Sequence, residues 1–151
     1  MSRVGLVRLT RDDPEFVRRL ELHRLWRESN PAGEQLVFDQ VDLSGEDLSG
    51  LELVDAMIMR CCFEHCSLRD AILLGAWLGC SSFRRADLSE ALLHKAHIDE
   101  CDFRDARLVQ ARLSRIDGTR VDFRGADLSG AYLGASGWWD CRFAGARLRG
   151  V

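Results

Sequence analysis

The chain has 151 residues, 46% of them hydrophobic and 30% charged, with a formal net charge of −3. That length suffices for one domain with a sizeable core, and the composition excludes wholesale disorder. The lack of a basic excess argues against direct nucleic-acid binding, and no apolar run approaches the length of a membrane span. The N-terminal "MSRVGLVRLTRDDPEF" contains no long apolar segment, so a cytoplasmic protein whose six cysteines are free thiols is expected.

Residues 1–35 and 36–151 read as two different kinds of sequence. Residues 3–9, "RVGLVRL", are predicted to form a strand, and residues 12–31 one helix. Asp13 is placed to cap that helix, Pro14 to take its first turn and Glu15 to suit its dipole, while Asn30-Pro31 stops it. Phe16, Leu20 and Trp26 give it an apolar face. Such a helix would make a lid for an open end of whatever follows.

From Phe38 onward every fifth residue is large and apolar, through Leu148, with Gly118 alone breaking the series. Two residues before each stands a second inward candidate, usually small, such as Ala56, Ala71 or Ala106. A period of five fits neither a helix nor a strand. It fits a short strand and a corner, repeated. Phe63, Phe83, Phe103, Phe123 and Phe143 recur at intervals of twenty, which predicts four pentapeptides per turn and a square cross-section. Coils at the roughly 4.8 Å strand spacing would give five to six turns, a rod roughly 25–30 Å long. With the phenylalanine wall as wall 1, walls 2, 3 and 4 follow along the chain. Ile116 and Trp138 are expected to fill the space that Gly118 leaves.

Residues 60–66, "RCCFEHC", have the composition of a metal site. In this register, however, Cys61 and Cys66, like Cys101 and Cys141, take the small inward position, where a free thiol packs as a small apolar group. Cys62 and His65 should point outward, so the side chains diverge, whereas zinc needs four converging ligands. No metal and no cofactor is expected. His23, His65, His94 and His97 have no catalytic partners, and Ser44, Ser49, Ser89, Ser114 and Ser129 read as solvated positions. No phosphate loop or nucleophile elbow is present, and a filled solenoid lacks a deep pocket, so an enzyme is not expected.

The outward positions differ by wall. On wall 1, Arg84, Arg104 and Arg124 stand twenty apart beside Arg85 and Arg142, with Asp102, Asp105 and Asp122 among them. They read either as a ligand-binding basic stripe or as a self-neutralising ladder, the second being preferred. On walls 3 and 4, Val54, Met57, Met59, Ile72, Leu74, Trp77 and Leu92 should form a contiguous outward apolar surface. A patch of that kind marks an interface, either with the N-terminal helix or with a partner.

The repeats "ADLSE" (86–90), "CDFRD" (101–105), "VDFRG" (121–125) and "ADLSG" (126–130) resemble those of the pentapeptide-repeat proteins. The resemblance spans residues 36–151. It implies an all-β solenoid, a right-handed quadrilateral β-helix, here with an N-terminal capping α-helix. Few repeats keep the family's Asp at the second position; Arg, His, Met, Trp or Leu often replaces it. A non-enzymatic protein–protein interaction module is the expected function, since rigid solenoids offer large surfaces. The resemblance also implies an alternative, DNA-mimicking protection of a type II topoisomerase such as DNA gyrase against a toxin or quinolone. Residues 36–151 carry eighteen acidic and fourteen basic side chains, with arginines on every wall, which is far from the dense charge of a duplex. The last coil, reaching Val151 without a further helix, is expected to leave open edges that pair with a second copy. Family members that dimerise commonly do so through this end. A homodimer through residues 132–151 is therefore expected, with Tyr132, Trp138, Trp139, Leu148 and Val151 as contacts.

Overall fold

From Gln40 to Gly150 every fifth residue of the computed structural model, which describes residues 5–151, has a positive φ, between 54° and 79°. The chain therefore turns through the same corner 23 times, and 16 of those corner residues are not glycine. An L side chain is disfavoured in that conformation, so the corners need support from the fold. Most receive it from a turn bond. Ala56 N–H donates to the Leu53 carbonyl at 3.2 Å and Ala106 N–H to that of Phe103 at 3.1 Å.

Between corners the chain is extended and pairs in parallel with the residue twenty further on: Asp47 with Ser67, Ser67 with Asp87, Asp87 with Arg107. Each central residue donates upward, as Leu68 N–H does to Asp87 O at 2.7 Å, and the next coil answers with Asp87 N–H to Cys66 O at 2.9 Å. The result is a four-sided β-helical solenoid. Longer pairings occur in β1 (Val7–Arg8) with β3 (Val41–Asp42), β2 (Val37–Asp39) with β4 (Met57–Met59), and β5 (Asp117–Thr119) with β6 (Gly137–Trp139). The strand expected over 3–9 is thus only two residues long, and residues 3 and 4 lie outside the described residues.

The core is one column of apolar side chains inside these walls. The wall 1 rings stack with centroids 4.9, 4.8, 5.2 and 5.1 Å apart from Phe63 to Phe143. That interval matches the strand spacing, so the pitch that satisfies the backbone also satisfies the rings. At Gly118 a Cβ would stand 2.9 Å from the Trp138 ring and 3.2 Å from Val121. Trp138 fills the position from the coil above, edge-on to Phe123 at 5.6 Å, and Ile116 is buried beside it.

The inward cysteines do more than fill space. On wall 4 the corners after Phe38, Ile58 and Gly118 bend without closing a turn bond. The thiol of Cys61 points to the Phe38 carbonyl at 3.6 Å and that of Cys141 to Gly118 at 3.4 Å. At the Ile58 corner Ser81 Oγ accepts from Cys61 N–H at 3.0 Å and points to Ile58 O at 3.5 Å. Cys66 and Cys101 likewise donate to Leu43 and Leu78 carbonyls at 2.9 and 3.0 Å. Burial pushes the Cys61 and Cys66 thiols up to about 11 and about 12, so they stay protonated and can donate. Cys62 departs from expectation: it is 2% exposed. Its short side chain, in register between Asp42 and Ser82, is shaded by the coils on either side. Ser89 is buried for the same reason, its hydroxyl folded back on Asp87 at 2.5 Å.

The helix, α1 (Pro14–Arg27), is shorter than the predicted 12–31. Asp13 caps it by accepting from Glu15 N–H at 2.8 Å. The chain leaves at Glu28, before Asn30-Pro31, because Ser29 turns to φ 58° and Asn30 N–H closes back on Leu25 O. Its buried side chains are Phe16 and His23, while Trp26 is exposed. Phe16 stacks on Phe38 at 5.7 Å, which seats the helix on the end of the first coil. There the first coil has carbonyls with no preceding coil to pair them. β1 covers one edge, Val7 N–H and Leu9 N–H donating to Gln40 O and Asp42 O. Arginines reach others: Arg8 to Ser44 O, Arg11 to Asp47 O and Arg19 to Val37 O. No helix among the described residues is long and apolar enough to cross a membrane.

Candidate functional site

Regular coils place outward side chains in straight columns, and the columns decide what each wall offers. On wall 1 two members of the arginine column are paired. Arg104 grips both oxygens of Asp102, closest at 2.6 Å, and Arg124 does the same to Asp122. Arg104 also stands 3.8 Å from Asp122, which links the coils. Burial of Asp102 works against its ionised form, but the Arg104 hydrogen bonds outweigh it and its pKa is lowered; for Asp122 the Arg124 hydrogen bonds dominate. Around Arg104 and Arg124 the wall is a self-neutralised ladder, whereas the Nε of Arg84 is buried with no hydrogen-bond partner among the described residues. Elsewhere Arg60 pairs with Asp39 and Arg120 with Glu100 on the corner column after wall 4.

Walls 3 and 4 have a different chemistry. On wall 4 Met57 and Trp77 are in register, 38% and 48% exposed, and the Trp77 ring continues onto His97 in a stack at 4.0 Å. Met59 lies over Gly79, where its Cε stands 3.1 Å from the site of a Cβ. A larger residue at 79 would displace it. On wall 3 Ile72 and Leu92 are in register, flanked by Val54 and Leu74; these four, like Met59, are half-buried. Of the seven residues predicted as an outward apolar surface, then, two are widely exposed and five are partly shaded. Helix α1 lies on the coil end, and Trp77 and Met57 remain open to solvent. Ile72 and Leu92 also floor a shallow groove of about 680 Å³, with Asp70 and Glu90 at one end and Arg112 and Tyr132 at the other.

The last coil leaves Tyr132, Trp139, Leu148 and Val151 exposed, and Trp138 and Phe143 only partly buried. Trp138 differs from the other expected contacts because its ring is spent on the Gly118 position. His23, read from sequence as merely lacking catalytic partners, is instead a buried structural contact of α1. Its position seven residues after Phe16, on the same helix face, was the available signal.

The family model for pentapeptide repeats matches residues 74–105 and 96–134, in eight copies. Among solved structures, a trypsin-treated form of QnrB1, a plasmid-mediated fluoroquinolone resistance protein, is 21% identical with a TM-score of 0.61. The match covers 78% of this chain and 69% of that one, and it shows the fold. HetL, a pentapeptide repeat protein involved in heterocyst differentiation regulation from the cyanobacterium Nostoc sp. strain PCC 7120, is 24% identical over 75% of this chain and 55% of its own, with a TM-score of 0.42. A pentapeptide repeat protein from the Arabidopsis thaliana thylakoid lumen is 34% identical over 70% of this chain and 63% of its own, with a TM-score of 0.23. This chain thus spans little more than half the length of HetL. No curated protein sequence matches it.

Proposed function

The chain belongs to the pentapeptide-repeat family, and on that premise we propose that it is a non-enzymatic protein–protein interaction module, a right-handed coil capped by α1. The observation that carries this reading is the open pair Met57 and Trp77 on successive coils of wall 4. A flat, rigid wall keeps such side chains in fixed positions at little entropic cost, which is how aromatic and Met side chains serve as anchors. The half-buried residues around them exclude water without needing to move. The partner is a protein surface with apolar side chains, met in the cytoplasm. Capture from lysate by the intact chain, lost with Trp77→Ser and Leu74→Ser together while circular dichroism is unchanged, is the expected result. Equal capture by both forms would end this assignment.

The alternative, mimicry of DNA to protect a topoisomerase, fits the charge less well, since Asp102 and Asp122 are already chelated by arginine. Protection of gyrase supercoiling from a quinolone by the added protein would reverse that order. We also assign residues 132–151 to a homodimer contact, because Tyr132, Trp139 and Leu148 are exposed beside partly buried core rings. Sedimentation equilibrium should give a dimer that Trp139→Asp with Val151→Asp dissociates.

A further inference from the structure

His23 is the one buried histidine of the four, 1% exposed on α1 beside Phe16. Its Nδ1 accepts the Leu36 N–H at 3.0 Å. Leu36 is the first inward residue of the first coil, so a histidine lone pair ties the helix to the solenoid backbone. The ring proton therefore sits on Nε2, which makes no hydrogen bond of ordinary geometry although the Val54 carbonyl acts on the ring. One ring face lies against Trp26 at 5.6 Å. Two charged groups act on the imidazole: Arg27 from α1 and Asp55 from the corner between walls 3 and 4.

We propose that His23 is a proton-operated latch, in which protonation of Nδ1 removes the acceptor for Leu36 N–H and releases α1 from the end of the first coil. The added proton would point at the Leu36 amide hydrogen, and the new charge would be enclosed between a tryptophan ring and the core. Burial holds the pKa of the docked ring below its ordinary value, and Arg27 acts in the same direction; the Val54 carbonyl and Asp55 oppose them without prevailing. The released histidine titrates near the ordinary value of about 6.5. Docking is thus complete above about pH 6.5 and is lost as the pH falls below it, about tenfold in the docking constant per pH unit until the docked pKa is reached. Arg8, Arg11 and Arg19 also donate to backbone carbonyls across this end, ties that involve no group titrating in that range. Release would uncover Phe38 and leave the first-coil edge open to another chain.

The test is hydrogen–deuterium exchange of the full chain between pH 7.5 and 5.0, corrected for intrinsic exchange, with the ring nitrogens of His23 followed by NMR. Protection over residues 14–36 should fall as the pH drops below 6.5, by no more than about tenfold per pH unit, while residues 60–130 keep theirs. His23→Asn, whose Oδ1 takes the place of Nδ1 and can accept from Leu36 N–H without titrating, should flatten that dependence. In the wild type at pH 7.5 the ring should show an unprotonated Nδ1 and titrate below 6.5. Protection over 14–36 that is unchanged down to pH 5.0, or a His23 ring protonated at pH 7 with the helix still protected, would overturn the latch whatever the variant does.

Discussion

The first and the last described coils are covered differently. A β-helix ends in a ring of unpaired backbone groups around an exposed slice of core. At the N-terminal end the slice is closed by Phe16, 1% exposed, and edge carbonyls are taken by β1 and by Arg8, Arg11 and Arg19. At the other end of the described chain Trp138 and Phe143 are only partly buried and Leu148 is 47% exposed. The same repeat builds both coils, so the cover of the first comes from residues outside the repeat, which pack on it. Solenoid stability is close to a sum of coil and interface terms; a coil with one neighbour contributes less than a coil with two.

The largest test of that contrast sets Phe16→Ala against Leu148→Ala. Phe16→Ala removes a fully buried ring and should cost about 3–5 kcal/mol, read by urea denaturation. The middle case compares two hydroxyls with the same job. Ser81 accepts from Cys61 N–H at 3.0 Å and is fully buried, whereas Ser136 accepts from Ile116 N–H at 3.1 Å in the half-buried last coil. Ser81→Ala strands a buried donor and should cost about 1–3 kcal/mol, and Ser136→Ala clearly less, since water can replace the hydroxyl. Gly118→Leu sharpens the comparison from within the upper coils: the added side chain collides with Trp138, and a loss of about 1–3 kcal/mol is expected. A raised melting temperature would mean that Trp138 does not fill the site. Smallest is Leu148→Ala itself, under about 1 kcal/mol because the side chain is half in water already. Equal losses for Phe16→Ala and Leu148→Ala would erase the distinction between the ends.

Much of the fold was legible because its period is short and strict. An inward residue every fifth position and a phenylalanine every twentieth translate directly into corners, walls and coil length, and the inward place of Cys61 and Cys66 follows from the same count. The arginine ladder was legible for that reason too, since columns are set by register alone. The candidate surface was legible only as a set of outward positions. Whether Ile72 or Leu74 is open depends on the size of neighbours one coil away and around a corner, which no single repeat contains. Cys62 shows the same limit: outward by register, it is buried because its side chain is short and its flanking coils close over it.

The sequence by itself determined the coil, because each pentapeptide carries its own inward pair and its own corner, and identical local instructions repeated in order leave no freedom in the stacking. The tertiary structure alone decided how the N-terminal segment sits on that coil. The contacts of Phe16 with Phe38, His23 with Leu36 and Arg19 with Val37 join residues that share no period, so nothing in either segment read separately pairs them. It also decided the cysteines' second role. A thiol at an inward position is only a small apolar group until the carbonyl of an open corner, one coil below, is brought within reach.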